Sequence, residues 1–172
     1  MINLSDCHLN GEGWLLRVLN PDDVHQLSYL LSDSQMVQQS GLMLPEPDEG
    51  IAFAWAISQL TQRRDLLGLF IGSNLGGLIS LMSSDSQSQQ AEIGYLLTRP
   101  FRKRGLMTHS IQAFLTWLGH RTSLKMVTAH VQMNNLSSIH VLEHCHFSII
   151  KRNTVRQMIA WQHQLKKNKE EL

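Results

Sequence analysis

A chain of 172 residues that is 42% hydrophobic has the length for one domain with a sizeable core and is short for two. Its 15 basic and 14 acidic residues leave a net charge of +1, which gives no electrostatic case for nucleic acid or a membrane surface as the main partner. No apolar run is long enough to cross a bilayer, Met1–Asn10 lacks the basic and apolar regions of a secretory leader, and Cys7 and Cys145 form no CxxC pair, so free thiols in a reducing, cytoplasmic compartment are expected.

Trp14–Val18 is a short apolar run and reads as a first strand. Asn20-Pro21-Asp22-Asp23 then supplies a cap, a proline and first-turn acids for a helix running to about Leu31. Ser40–Asp48 holds a glycine and two prolines and reads as loop, while Glu49–Gln62 carries Ile51, Ala54, Trp55 and Ile57 at helical spacing. Leu66–Ile71 and Leu75–Met82 flank Gly72-Ser73-Asn74, a hairpin signal. The polar stretch Ser83–Gln90 reads as the tip of the next hairpin, and Ala91–Leu97 as its returning strand. Pro100–Gly105 is a basic loop, followed by Leu106, Ile111, Phe114, Leu115 and Leu118 at helical spacing. A buried strand at Met126–Val131, a helix at Asn135–His144, and two strands at Phe147–Lys151 and Val155–Leu165 complete the pattern, with Lys166–Leu172 as a charged, frayed tail. Antiparallel strands first and helix-connected strands later predict a single-domain mixed α/β (α+β) fold with about four helices, spanning residues 1–172.

The stretch Glu92–Ser110 concentrates chemistry. A strand ends, a loop brings Arg102, Lys103, Arg104 and Gly105, and a helix opens with Leu106, Met107 and Thr108. Free backbone N–H groups, the positive end of a helix dipole and cationic side chains then share one place, an anion site suited to a pyrophosphate. A side chain at position 105 would block close approach of a phosphate, and Thr108 adds a hydroxyl donor. An ordinary loop and helix start has the same local features, so physics alone gives a phosphate-bearing ligand and nothing narrower. His140 and His144 share a helix face beside Cys145 and His146, but no further ligand follows at motif spacing, and no metal is expected. The cations at 102–104 lack the aromatic neighbours of an RNA-reading surface.

Arg102-Lys-Arg-Gly105-Leu-Met107 resembles the acetyl-CoA loop Arg/Gln-x-x-Gly-x-Gly/Ala of the GNAT acyltransferases. Asn135-Leu-Ser-Ser138-Ile-His-Val-Leu-Glu143-His-Cys-His-Phe147 resembles the same family's Asn-x-x-Ser-x-x-Val-Leu-Glu-x-x-Gly-Phe block. The similarity spans nearly the whole chain and is greatest to the Rim-type ribosomal-protein N-acetyltransferases. It implies a mostly antiparallel sheet that splays open, like a V, between the strand ending near Leu97 and the strand at Met126–Val131. Pantetheine would pair with the first of these strands near Leu97, the pyrophosphate would rest on the amides of Arg102 to Thr108, and Asn135 would contact acetyl-CoA beyond the second. The implied activity is acetyl transfer from acetyl-CoA to a primary amine, with a protein N-terminal α-amine as acceptor. A polyamine or aminoglycoside acceptor, or a non-catalytic acyl-CoA-binding module, are the alternatives.

For catalysis the resemblance points to Glu92 as base and Ser138 as acid. Both have plainer roles open to them: a carboxylate paired with an arginine, and a hydroxyl at the helix start behind Asn135. Tyr95 falls on the opposite strand face from Glu92 and reads as packing. Three positions depart from the family pattern: Met107, expected to crowd the phosphate loop; His146, in place of glycine; and Leu142, where many relatives place a tyrosine acid. The late hairpin offers an edge strand for a homodimer.

Overall fold

The computed structural model describes residues 3–33, 66–83 and 89–167. The expected loop at 40–48, the helix at 49–62 with Trp55, the centre of the polar turn at 84–88 and the end of the tail at 168–172 lie outside the described residues.

The described chain builds one eight-stranded sheet in the order β1-β2-β3-β4-β5-β6-β8-β7. The strands are β1 (His8–Gly11), β2 (Trp14–Val18), β3 (Leu66–Ile71), β4 (Asn74–Ser83), β5 (Gln90–Leu97), β6 (Met126–Gln132), β7 (Ser148–Asn153) and β8 (Met158–Gln164). Three α-helices lie among the described residues: α1 (Val24–Leu31), α2 (Leu106–Arg121) and α3 (Leu136–His144). β5 and β6 form a parallel pair, and the other neighbours are antiparallel. A mixed, mostly antiparallel α/β domain is therefore what the sequence pattern specifies.

Each face of the sheet has its own core. On one, Leu27, Leu30 and Leu31 of α1 pack on Phe70, Leu78 and Leu96. On the other, Ile111, Phe114, Leu115 and Leu118 of α2 and Leu142 of α3 cover Ile79, Ile93, Val127 and Trp161. Alternation within β5 and β6 assigns their side chains to these two faces. Ala91, Ile93, Tyr95, Val127, Ala129 and Val131 belong to the α2–α3 side, and Leu96 to the α1 side.

The entry into α1 follows the predicted cap. Asn20 Oδ1 accepts from the Asp22 N–H at 2.9 Å, the Asp23 carboxylate accepts from the Asn20 N–H at 2.7 Å, and Pro21 opens a short 3-10 turn ahead of the helix. Asp23 is buried, and its carboxylate takes both guanidinium arms of Arg17, at 2.8 and 2.9 Å. Arg17 in turn lies 4.0 Å from the centroid of the Phe70 ring. β2 is thereby tied to α1 through one bidentate pair.

Three elements differ from the sequence reading. β1 was not foreseen, because His8–Gly11 carries one apolar side chain and is held by main-chain pairing with β2. β8 starts at Met158 and not at Val155: Gln157 has φ 52, the segment 154–157 is a turn, and Val155 is 93% exposed. Lys167, expected in the frayed tail, reaches the Thr122 carbonyl at the end of α2 with its ammonium at 2.7 Å. β7, at the sheet edge, carries Lys151 and Arg152, charges that discourage pairing with another edge. No helix among the described residues is long and apolar enough to cross a membrane.

Candidate active site

β5 and β6 part in the middle of the sheet. Their pairing covers Gln90/Met126, Ala91/Val127 and Glu92/Thr128 and then stops. β5 remains paired with β4 to Leu97, and β6 with β8 to Gln132, so each arm is held by its outer neighbour while the inner edges separate. The Thr98 N–H bonds Gly76 O on the β4 side, and Ala91 O faces β6, where Thr128 Oγ1 approaches to 3.4 Å. By alternation, the main-chain groups of Ile93, Tyr95 and Leu97 face the opening. The opening is a cavity of about 70 Å³, lined by Glu92, Ile93, Gly94 and Tyr95 from one arm, Ala129 to Gln132 from the other, and Asn135 and Ser138 from the start of α3.

Past Leu97 the chain runs from β5 through the basic loop to the head of α2. Phe101 packs where a side chain at Gly76 would stand, which fixes the loop against β4. Arg102 Nε donates to Leu97 O at 2.8 Å, so the carbonyl of Leu97 is engaged by the loop and its N–H is the group left towards the cleft. Lys103 and Gly105 adopt positive φ, 61° and 72°. Glycine suits the second, because left-handed backbone there turns the chain into the helix without strain. The first turn of α2 closes with His109 N–H on Gly105 O at 2.9 Å, which leaves the amides of Leu106, Met107 and Thr108 without an intrahelical acceptor. Lys103, Arg104 and Gly105 are exposed around them. Cations and first-turn amides without intrahelical acceptors thus share one helix start, a combination that suits phosphate.

Met107 is a correction to the sequence reading. Its side chain is 4% exposed and belongs to the core with Ile111 and Phe114. It points away from the loop and crowds nothing there, while its amide stays in the first turn of α2. Leu142, at the position of the missing tyrosine, is fully buried in the same core. His146 has φ 60, so a left-handed turn is indeed made at the position where the family pattern has glycine.

Side chains of opposite chemistry stand on the two faces of the cleft. On the α2–α3 face, the Tyr95 hydroxyl donates to Ser138 O at 3.1 Å. Burial pushes the Tyr95 phenol well above its ordinary value, and a side-chain hydrogen bond with Ser138 works against that. The phenol is thus a protonated strut across the opening. Asn135 caps α3, with Oδ1 accepting from the Ser138 N–H at 3.1 Å, so the capping belongs to Asn135 and the Ser138 hydroxyl is not needed for it. On the other face, Glu92 Oε1 lies 2.9 Å from His130 Nδ1. The expected partner of Glu92 was an arginine; it is a histidine on the facing strand. Replacing Tyr95 by Phe is expected to cost about 1 kcal/mol of stability by removing one hydrogen bond from a buried hydroxyl, measurable as a small shift in urea midpoint at unchanged m-value.

The histidines on α3 do not converge. His144 Nδ1 lies 2.7 Å from His140 O and is turned back on its own helix, and His140 lies 3.5 Å from Glu143. No group of three or more His, Cys, Asp or Glu side chains among the described residues is placed to hold a metal ion.

A model of the Acetyltransferase (GNAT) domain matches residues 14–148. The chain belongs to the GNAT acetyltransferase family. The matched span runs from the first residue of β2 to the first residue of β7 and includes both arms of the splay, β5 and β6. The chain is 28% identical over 148 residues to a protein of Bacillus subtilis named "Putative ribosomal N-acetyltransferase YdaF", covering 82% of this chain and 80% of that one. In structure it is similar to a GNAT-family acetyltransferase of Bacillus anthracis, with a TM-score of 0.76 at 16% identity over 91% of this chain and 98% of that one. It is also similar to RimL, a ribosomal L7/L12 alpha-N-protein acetyltransferase solved in complex with coenzyme A, with a TM-score of 0.77 at 17% identity over 92% and 97% of the two chains. The two solved structures share the fold, and the name of the Bacillus subtilis relative is in keeping with the Rim-type resemblance carried by the two sequence blocks.

Of the residues singled out in the sequence, Glu92, Ser138 and Asn135 meet in the cavity, and Arg102 to Thr108 make up the loop and the first turn of α2 that follow β5. His130 was missed. It is a lone histidine in an apolar strand, and its partner is 38 positions away.

Proposed function

We propose that this GNAT enzyme is an acetyl-CoA-dependent N-acetyltransferase and that its acceptor is a protein N-terminal α-amine. The observation that carries the reading is the unpaired main chain of β5, which leads along the splay to the free amides at the head of α2. The N–H of Leu97 and the main chain of Ile93 and Tyr95 suit the amide-bearing pantetheine arm as an added strand. The amides of Gly105 to Thr108, with Arg102, Lys103 and Arg104, suit the diphosphate. RimL, a ribosomal-protein α-N-acetyltransferase, and the Bacillus subtilis relative, named as a ribosomal N-acetyltransferase, support the acceptor class. Acetyl-CoA supplies an activated acyl carbon as its thioester.

The two faces of the cleft divide the proton work. An attacking amine must lose a proton, and Glu92 provides the negative charge on the α1 side. The thiolate released needs a proton, and Ser138, which lines the cavity beside Tyr95 on the other side, supplies it from its hydroxyl. Cleft main-chain N–H groups serve the carbonyl oxygen as charge builds on it. Both cysteines are free, and burial pushes each thiol up to about 12, so neither is a nucleophile at neutral pH and both suit a reducing cytoplasm.

The test is thiol release from acetyl-CoA with a panel of peptides bearing free α-amines, alongside spermidine and an aminoglycoside. Acetylation of peptides is expected, with blocked N-termini inert. Turnover on spermidine or the aminoglycoside alone would replace the acceptor. Thermal stabilisation by CoA with no turnover on any amine would make the protein a binding module.

A further inference from the structure

Glu92 does not face the acceptor side of the cleft alone. His130, on the far arm of the splay, places Nδ1 2.9 Å from Glu92 Oε1, and both side chains are part of the cavity wall. The two residues sit at and just beyond the point where the strands part. Glu92 is the last β5 residue in register with β6, opposite Thr128, and His130 lies two residues further along β6 on the same face. The pair therefore spans the apex of the V. It stands on the α1 side, opposite Tyr95 and Ser138.

We infer that His130 is the group that takes the proton from the acceptor amine, and that Glu92 acts through it as a positioning residue. A carboxylate on Nδ1 selects the tautomer in which Nδ1 carries the hydrogen, leaving the lone pair on Nε2. The side chain is roughly half exposed, at 47%, and His130 lines the cavity, where a ligand entering the cleft can meet it. No partner for Nε2 is found among the described residues. The charged group facing His130 from β5 is Glu92; across β8 its register runs through Ala160 to Lys151 on β7, and Met158 and Gln162 flank it without charge.

This inference rests on the acetyltransferase reading. The step balances within it. The amine nitrogen forms a bond to the acetyl carbon and gives one proton to His130 Nε2. The carbon–sulfur bond breaks with its electron pair on sulfur, and that thiolate takes the Ser138 proton. His130 returns its proton to solvent, and Ser138 regains one from it.

The experiment compares wild type with His130→Gln, Glu92→Gln and Glu92→Asp. It reads CoA affinity by calorimetry and the pH profile of kcat/KM with whichever peptide of the α-amine panel is acetylated fastest. His130→Gln is expected to lower kcat at least 100-fold while CoA affinity stays within twofold. Glu92→Gln is expected to lower kcat less than His130→Gln does, because the ring keeps its Nε2 lone pair and loses only the carboxylate that orients it. Glu92→Asp should restore part of that loss. A His130→Gln enzyme with wild-type kcat and pH profile would overturn the inference and leave the acetyltransferase reading intact. So would a Glu92→Gln enzyme as impaired as His130→Gln, since Glu92 would then be the base itself. A wild-type protein that binds no CoA and acetylates no peptide would overturn the reading and this inference together.

Discussion

Asp23→Ala is expected to destabilise the fold by about 3 kcal/mol, at the lower end of the cost of breaking a buried ion pair. In a chain of 172 residues that corresponds to a fall in Tm of roughly 6–12 °C. Asp23 is 4% exposed, and its loss removes two bonds from Arg17 and one from the Asn20 N–H. The Arg17 guanidinium would then stay tucked against Phe70 with its charge uncompensated. The same pair makes stability depend on pH. Burial would by itself push the Asp23 carboxyl up; the Arg17 and Asn20 hydrogen bonds outweigh it and hold the carboxyl below its ordinary value. A lowered carboxyl contributes its stability above the unfolded value of about 3.9 and loses it as pH falls through the folded value. The acid arm of the stability curve should therefore be shallower in Asp23→Ala than in wild type. Thermal melts of Asp23→Ala, Arg17→Ala and the double variant check the account: the double variant should cost clearly less than the two single costs added, and strict additivity would remove the pair as the cause.

Gly105→Asp is expected to weaken CoA binding about 100-fold, equivalent to ~2.7 kcal/mol. The residue has φ 72, a conformation aspartate tolerates better than most side chains, and the nearest atom to a new Cβ is the edge of the His109 ring at 3.1 Å. The fold should survive with a loss of about 1 kcal/mol. What the variant adds is a carboxylate where the amides of Leu106, Met107 and Thr108 would receive a diphosphate. Gly105→Asn keeps the shape without the charge and should lose about tenfold less affinity than the aspartate. Equal CoA affinity in wild type and Gly105→Asp, measured by calorimetry, would remove the diphosphate from the head of α2.

The parts of the fold legible in the sequence are those whose signal is local. Asn20-Pro21 announces α1, Gly72-Ser73 announces the β3–β4 turn, and the glycine after three cations announces the head of α2; in each case neighbouring residues make the contact that matters. β1 was invisible because its strand order comes from pairing with β2 and not from its own side chains. The start of β8 was misjudged because Val155, a strand former, occupies an exposed turn where its propensity is overridden. Within the site, Glu92, Ser138 and the Gly105 loop were accessible through motif resemblance, whereas the Glu92–His130 and Tyr95–Ser138 contacts were not. They join residues 38 and 43 positions apart, across a gap that exists only once β5 and β6 have each found another neighbour. The environment of Met107 was misjudged for a related reason: one position along a helix start separates a side chain facing a phosphate from one facing the core, and spacing alone did not resolve it.

Amide hydrogen exchange with and without saturating CoA tests the central claim most directly, because it reads the same main-chain groups that the cleft leaves unpaired. Protection is predicted in two separate stretches, Ile93 to Leu97 and Gly105 to Thr108, with β1 and β7 unchanged. Binding that leaves both stretches exchanging as in the free protein, or protection confined to other elements, would contradict the placement of the nucleotide and its arm in the splay.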